Sequence, residues 1–203
     1  MIKFKLDKGR LFASVAFALI FSTLMSLACF DASCEEIRDN VLRLHILANS
    51  DSEADQEVKI KVRDALLKEF GTLFDGATTL NEAKALAENN IEKLEQTAQK
   101  TLAAEGYTYP VKVEVAPSDF NTRVYGDLTI PAGNYMAVRV LLGKAEGQNW
   151  WCVCFPNICM GSAAKEIDRV LDSDSKKIVK SGQKFKVKFK VVEIYEKIKT
   201  KLK

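Results

Sequence analysis

His45 and Cys152 are the two side chains in this sequence that could act as a base and a nucleophile. His45 is the only histidine in the chain, and a histidine beside a thiol can take up its proton and activate it for attack. His45 lies in an apolar run, however, where we expect it to be buried and hydrogen-bonded to the backbone or to Asp51. We therefore predict no catalytic residues and keep a thiol-dependent hydrolase as the alternative function.

Asn49, Asp51 and Asp55 place three oxygen-bearing side chains within seven residues. Such oxygens could bind a divalent cation. The same residues also suit the start of a helix, because Ser52 can cap its free N–H groups and acidic side chains are favoured in its first turn. We interpret the group as a helix cap.

Motifs for a metal or another cofactor are missing from the sequence. One histidine and no Cys-x-x-Cys pair leave too few ligands at the usual zinc spacing. The sequence also has no glycine-rich phosphate loop and no nucleophile elbow. We predict no metal, no cofactor and no small-molecule substrate.

The N-terminus carries the pattern of an export signal. Basic residues precede an uncharged apolar run at residues 11–28, which ends in the small residues Ser26 and Ala28. The run is also close to the length that spans a bilayer, so an uncleaved anchor is an alternative, as is a lipid-modified Cys29. We predict a signal peptide or membrane anchor at residues 1–34 and a single globular domain at residues 35–203.

Export bears on the five cysteines of the chain, because thiols outside the cytoplasm tend to oxidise. Cys152 and Cys159 are separated by six residues that include Pro156, so the chain can turn back between them. We predict a disulfide between these two, with Cys154 as a small buried residue. An oxidised Cys152 could not act as a nucleophile. The alternative disulfide partners are Cys29 and Cys34.

Apolar spacing in the body predicts an α+β domain. Period-two or fully apolar runs indicate four strands, at residues 41–47, 110–115, 135–142 and 150–155. Helical spacing with N-caps at Ser52 and Thr79 predicts two amphipathic helices. We expect a mainly antiparallel sheet of about four strands, with the last strand returning beside residues 135–142 and both helices packed on one face.

The C-terminal segment is strongly basic. Residues 176–203 contain eleven lysines against Glu193 and Glu196. Residues 185–195 alternate like a strand, but the spacing over the whole segment favours a basic C-terminal helix that begins near Phe189. A lysine-rich face of this kind is often simply solvated, and it could also contact an anionic membrane surface or an acidic partner. We expect a membrane contact and no nucleic acid.

Trp150 and Trp151 bear on partner binding. They are adjacent, so on a strand they face opposite sides. The outer ring either meets a partner or is covered by residues 117–134 or by the C-terminal helix.

Arg43 and Arg139 lie on predicted strands. We expect both to form structural salt bridges with carboxylates on the helices.

Two blocks of this sequence resemble the signatures of the stage II sporulation protein R family. The first is Val-Leu-Arg-Leu-His-Ile-Leu-Ala-Asn-Ser-Asp-Ser at residues 41–52, continued by residues 55–56 and 61–64. The second comprises residues 135–139, Gly143, residues 147–152 with the sequence Gly-Gln-Asn-Trp-Trp-Cys, and Phe155, Pro156 and Cys159. The likeness covers about residues 40–160. Cys154 departs from the family pattern.

The resemblance implies a signalling function in spore formation. Such a protein is made in the forespore and exported into the space between the two membranes. There it activates a membrane-embedded aspartic protease of the mother cell, which then matures the sigma-E precursor, and the family member is itself not an enzyme. We expect the extracytoplasmic part of that protease to bind at two short segments, formed by Asn49, Asp51, Asp55, Asn149, Trp150 and Trp151.

Overall fold

The structure is a computed structural model that describes residues 8–74, 76–158 and 163–201. Its helices and strands confirm the α+β class. In chain order they are α1 (Lys8–Asp39), β1 (Leu42–Leu47), α2 (Glu53–Leu73), α3 (Leu80–Asn89), α4 (Ile91–Ala104), β2 (Val111–Phe120), β3 (Arg123–Tyr125), β4 (Leu128–Ile130), β5 (Gly133–Leu142), β6 (Asn149–Phe155), α5 (Ala163–Val170), α6 (Ser173–Lys180), a 3₁₀ turn (Gly182–Phe185) and α7 (Lys186–Lys201).

The main sheet has four strands in the order β2-β5-β1-β6. β1 runs parallel to β5 and antiparallel to β6, and β2 runs antiparallel to β5. The prediction that β6 pairs with β5 is therefore wrong, because β1 lies between them. All but the last residue of β1 are buried, and a strand that is buried on both faces lies in the centre of a sheet, covered on both sides.

Three helices cover one face of the sheet. Leu42, Leu44 and Ile46 of β1 point into this first core, which α2, α3 and α4 close. The predicted caps of α2 and α3 are both present: Ser52 Oγ accepts from Asp55 N, and Thr79 and Glu82 form a capping box. The second predicted helix is split in two at Asn90, which ends α3 and begins α4.

The opposite face carries a second core, which the sequence did not predict. It is closed by the C-terminal half of α1, the β3–β4 hairpin, α6 and α7. The sheet thus has helices on both faces. The basic C-terminal segment is helical, as predicted, and α7 starts three residues before the expected position.

The N-terminal half of helix α1 is apolar and exposed, whereas its C-terminal half packs against the body. It is long and apolar enough to cross a membrane, with a mean hydropathy of 2.1 over an 18-residue window that is wholly exposed. Phe30, Cys34 and Ile37, further along the same helix, lie in the second core. Burying a side chain such as Phe30 or Ile37 contributes about 1.5–3 kcal/mol. The predicted boundary after residue 34 falls inside α1, between buried residues of the second core, and the domain division stays a prediction.

Candidate partner-binding site

The two sequence blocks meet at one end of the sheet in a structure that we call the clasp, formed by residues 48–52 and residues 143–148. Gly147 N donates to Ala48 O at 2.9 Å, and Lys144 N donates to the Asn49 side-chain oxygen at 3.0 Å. Gln148 N donates to Asp51 Oδ1 at 2.7 Å. The clasp ties the exit of β1 to the connection between β5 and β6.

Close approach in the clasp explains why residue 147 is a glycine. A Cβ atom at Gly147 would collide with the backbone carbonyl of Ser50. Because the colliding atoms are backbone, any larger residue would push the two halves of the clasp apart.

Asp55, in the first turn of α2, accepts hydrogen bonds from two residues of the clasp. Its side chain accepts from Asn49 Nδ2 at 2.9 Å, from Ser50 Oγ at 2.5 Å and from the Tyr109 hydroxyl at 3.1 Å. Burial disfavours the charge, but these hydrogen bonds, with that of Ser52, outweigh it and lower the pKa of Asp55 below its ordinary value. The charged carboxylate is therefore the form that holds the clasp together.

Ser52 caps α2 as predicted, whereas Asn49 and Asp51 do not cap this helix. The side-chain oxygens of Asn49 and Asp51 accept backbone N–H groups within the clasp, so both side chains have a structural role. In the part of the chain that the structure describes, no group of His, Cys, Asp or Glu side chains could hold a metal ion. Partner binding by Asn49, Asp51 and Asp55 stays a prediction.

His45 points to the second face and links β1 to its neighbour β6 and, across β5, to β2. One neutral tautomer satisfies both of its contacts: Nε2 donates to Asn149 Oδ1 at 2.6 Å, and Nδ1 accepts from Ser118 Oγ at 3.2 Å. The ring is 8% exposed. Burial lowers its pKa, the nearby Arg139 and Arg43 act in the same direction, and the hydrogen bond that His45 donates to Asn149 opposes them. The expected bond to Asp51 is replaced by those to Ser118 and Asn149.

We expect stability to fall as the pH drops below the ordinary histidine value of 6.5. The folded state favours neutral His45, so the unfolded chain binds more protons in this range. Acidification therefore stabilises the unfolded chain relative to the folded state. Because the chain has a single histidine, His45→Gln should flatten the unfolding free energy between pH 7 and about 5. Urea unfolding at a series of pH values measures this. An equally steep pH dependence in the variant would contradict the assignment.

His45 and Cys152 do not form a catalytic pair in this fold. In the β1–β6 register His45 lies opposite Trp151, and Cys152 lies opposite Leu44. Neighbouring residues of a strand face opposite sides, so Cys152 points into the first core and His45 to the second face. The geometry therefore does not support the thiol-dependent hydrolase.

The cysteines have different states. Cys152 is disulfide-bonded, whereas Cys29, Cys34 and Cys154 are free. Cys154 is fully buried, as expected, and burial raises the pKa of its thiol. Cys159, the expected partner of Cys152, lies outside the described residues, and that pairing stays a prediction.

Trp150 and Trp151 flank an open groove at the edge of the sheet. The groove has a volume of about 520 Å³, and we call it the tryptophan groove. Its lining side chains are Arg123, Val124, Tyr125, Gln148, Asn149, Trp150 and Trp151. Because the two tryptophans face opposite sides of β6, a groove that touches both wraps around the free edge of this outer strand.

Each tryptophan is half-buried and lies under an arginine. Arg63 of α2 lies 5.1 Å from the centre of the Trp150 ring, and Arg123 of β3 lies 4.1 Å from the centre of the Trp151 ring. Trp150 packs against the first core and Trp151 against the second. Residues 117–134 thus cover part of the Trp151 ring through Arg123, and the rest of the ring lines the groove, so partner binding by Trp151 stays a prediction. Asn149 is fixed beside them by its bond to His45.

Arg43 is a buried cation that the sequence placed in a salt bridge. It is 0% exposed, and its hydrogen-bond partners among the described residues are uncharged. Nε donates to Cys152 O at 3.1 Å, and Nη2 donates to the Tyr125 hydroxyl at 2.8 Å. Its guanidinium also lies against three aromatic rings, those of Phe120, Tyr125 and Tyr135. Arg43 thereby fixes Tyr125, a wall of the tryptophan groove.

Arg139 does form a salt bridge, but not with a helix. Its Nη1 lies 2.6 Å from Glu114 Oε1 on the neighbouring strand β2. The sequence also missed Arg123, Tyr125 and Ser118 as parts of the site. The aromatic and basic residues in the long connection between residues 117 and 134 were the one available signal for them.

The family model described as stage II sporulation protein R matches residues 38–165. The chain belongs to the stage II sporulation protein R family. Over 135 residues it is 38% identical to the stage II sporulation protein R of Bacillus subtilis (strain 168). This alignment covers 64% of this chain and 60% of that protein. The match thus spans less than two thirds of that relative. No solved structure matches the chain significantly.

The matched region contains the functional features described above. It includes the clasp, the tryptophan groove and Arg43, whereas α6, α7 and most of α1 lie outside it. The family is named after a sporulation protein, and its name does not describe an enzyme.

Proposed function

We propose that this protein is an exported sporulation signal. It is made in the forespore, crosses the forespore membrane and activates a membrane-embedded aspartic protease of the mother cell. That protease then matures the sigma-E precursor. The observation that carries the proposal is membership of the stage II sporulation protein R family, since the family match covers the whole sheet that builds the candidate site.

The N-terminal helix supports export. The first half of α1 is apolar, exposed and long enough to cross a bilayer. Such a helix serves as a signal sequence or as an anchor. In either case the folded body would stand on the far side of the forespore membrane, in the compartment where an extracytoplasmic partner is accessible.

The tryptophan groove is the surface that best suits a protein partner. Trp and Arg are the residues most often responsible for binding energy at interfaces, especially when they lie in a preformed pocket. The groove borders β6, whose outer edge pairs with no strand in the described sheet. An extended segment of the protease could therefore lie along this edge and place a side chain in the groove.

Hydrogen-bond donors in the groove suggest the chemistry of that segment. Trp151 Nε1 and Arg123 Nε are enclosed and have no acceptor among the described residues. The lining side chains include no carboxylate. A carboxylate from the partner would complement the charge of Arg123, and it would reach both enclosed donors once Arg123 is displaced from the Trp151 ring.

Activation requires binding that depends on the state of the protease. A ligand with equal affinity for the active and inactive forms shifts nothing, and a shift from 1:99 to 99:1 needs about a 10⁴-fold preference. The groove must therefore fit a segment that is exposed or ordered only in the active protease.

The test is genetic. We expect deletion of the gene in its sporulating host to block cleavage of the sigma-E precursor, as followed by immunoblot through sporulation. Complementation with the full chain should restore cleavage, and a copy without residues 8–28 should not, because it would stay in the forespore. Normal cleavage in the deletion strain would falsify the proposal.

A further inference from the structure

Helix α6 and the 3₁₀ turn lead the chain along α1 towards its exposed apolar half. In α6, Ser175 Oγ donates to Ser33 O at 3.2 Å. In the 3₁₀ turn, the ring centre of Phe185 lies 5.6 Å from that of Phe30. The contact point on α1 therefore moves by three residues, or about 4.5 Å, towards the N-terminus of that helix.

Helix α7 starts beside the end of the apolar run and leads away from it. Near its start, Lys188 Nζ donates to Ser26 Oγ at 2.8 Å. Further along, Glu196 lies 3.9 Å from Arg38, so α7 runs in the same direction as α1. The chain therefore turns back between α6 and α7 at a tip that points towards the apolar half of α1. We call residues 182–188 the lysine tip.

A bilayer crossed by α1 would end at the level of the lysine tip. The helix carries no charged residue from residue 11 to residue 30. This stretch of 20 residues is about 30 Å long, which is the thickness of the hydrocarbon layer. Phe30 would then lie at the boundary between the hydrocarbon and the headgroups. Its contacts with Phe185 and Lys188 place the lysine tip at that boundary.

The lysine tip has a positive charge that no nearby carboxylate in the sequence balances. Lysines occupy positions 184, 186 and 188, and residues 175–192 include no acidic residue. The side chains of Lys184 and Lys186 are exposed, and neither has a hydrogen-bond or ion-pair partner among the described residues. Val187, between two of the lysines, is 78% exposed. The tip thus offers two unpaired cations and an apolar side chain to a ligand.

We propose that the lysine tip binds the headgroups of anionic lipids in the bilayer that α1 crosses. Lys184 and Lys186 contact the lipid phosphates, and Val187 enters the boundary between headgroups and acyl chains. Each lysine next to an anionic surface contributes about fivefold in affinity. The proposal takes α1 as an anchor that stays attached to the body, which is one of the two roles that the proposed function gives to this helix.

The lysine tip is separate from the tryptophan groove. None of its residues lines the groove, and residues 182–188 lie outside the region that the family model matches. A second contact with the bilayer, beside α1, restricts how the body tilts on its anchor. Lipid binding at the tip therefore holds or fails independently of the partner proposed for the groove.

The test measures how close two positions of α7 lie to the bilayer. A thiol-reactive fluorophore is attached to the full chain through Val187→Cys or through Ile198→Cys, both at exposed positions. Cys29→Ser is included in each protein, because Cys29 is an exposed free thiol. The proteins are reconstituted into phosphatidylcholine vesicles with or without phosphatidylglycerol, and a lipid with a quencher on its headgroup reports proximity.

We expect quenching at position 187 to be at least about twofold stronger in the anionic vesicles, because two lysines favour the contact by about 25-fold. Position 198 lies 11 residues further along α7, or about 16 Å from position 187. Quenching there should be weak and equal in both kinds of vesicle. The Cys29→Ser protein, treated with the same fluorophore, gives the baseline.

Charge variants separate lipid binding from proximity that α1 alone imposes. Lys184→Gln with Lys186→Gln should remove the increase at position 187, and high salt should weaken it, because screening acts within about 10 Å at 0.1 M. Lys68→Gln with Lys100→Gln, at exposed positions of α2 and α4, is the matched control and should leave the increase unchanged.

Three results would overturn the proposal. Equal quenching at position 187 in both kinds of vesicle would show that the tip does not bind anionic lipid. Quenching at position 198 as strong as at position 187 would place the whole of α7 against the bilayer. Extraction of the chain from the vesicles by alkaline carbonate would show that α1 is not an anchor. Precursor cleavage in cells tests the proposed function separately, since the vesicles contain only this chain and lipid.

Discussion

Replacing Trp151 by alanine is expected to abolish maturation of the sigma-E precursor. The ring forms one side of the tryptophan groove and lies 4.1 Å from Arg123, so its loss removes both the binding surface and the stacking partner of a cation. Removing a tryptophan from the centre of an interface costs about 2–4 kcal/mol, or at least about 30-fold in affinity. Immunoblotting of the precursor during sporulation measures the effect.

Two further substitutions identify what the groove contributes. Trp151→Phe keeps the ring but removes the unpaired Nε1 donor, so an intermediate loss is expected if the partner supplies an acceptor. Val124→Glu places a negative charge at an exposed position of the groove and should repel an acidic segment without disturbing the core. Lys68→Glu on α2 is the matched surface control. Normal processing with Trp151→Ala, at normal protein levels, would exclude the groove as the binding site.

Replacing Asp55 by alanine is expected to have the largest effect on stability. The carboxylate accepts side-chain hydrogen bonds from Asn49, Ser50 and Tyr109. Losing an acceptor for three partly buried donors should lower the free energy of unfolding by about 3 kcal/mol. For a chain of this size that corresponds to a fall of about 6–12 °C in the melting temperature. Thermal and urea unfolding followed by circular dichroism measure it.

The pH dependence of the Asp55 contribution gives a second readout. The pKa of Asp55 is below the ordinary value of 3.8, so its stabilisation is present above that value and is lost as the pH falls through the folded value. The difference between the wild type and Asp55→Asn should therefore disappear in strong acid. Asp51→Ala is the control, because Asp51 is exposed and accepts from Gln148 N at the rim of the clasp. Asp51→Ala should lower the free energy of unfolding by about 1 kcal/mol. A loss as large as that of Asp55→Ala would contradict the central place of Asp55.

The clasp is directly connected to the tryptophan groove. Asn49 and Asp51 fix the turn at residues 143–148, and that turn leads directly into Asn149 and Trp150 of the groove. His45 holds Asn149 from the other side at 2.6 Å. The predicted partner residues thus fall into two groups: Asn149, Trp150 and Trp151 line the groove, whereas Asn49, Asp51 and Asp55 position it.

The sequence alone determined the four strands of the main sheet, two helix caps and the family. Ser52 and Thr79 were identified as helix caps because a cap depends on residues three or four positions away. The strands at β1, β2, β5 and β6 followed from apolar alternation, which is likewise local. The two family blocks were recognisable since each is a continuous run of residues. The apolar half of α1 indicated export by length and composition.

The tertiary structure decided strand order, the second core and the chemistry of the site. β1 separates β5 from β6 because its side chains are buried on both faces, and no local pattern states which strands flank it. Arg43 bonds to Tyr125 across 82 residues and His45 to Ser118 across 73. The sequence assigned a salt bridge to Arg43 and a bond to the backbone or to Asp51 to His45. The actual partners depend on which segments the fold brings together, and that is set by the packing of the whole chain.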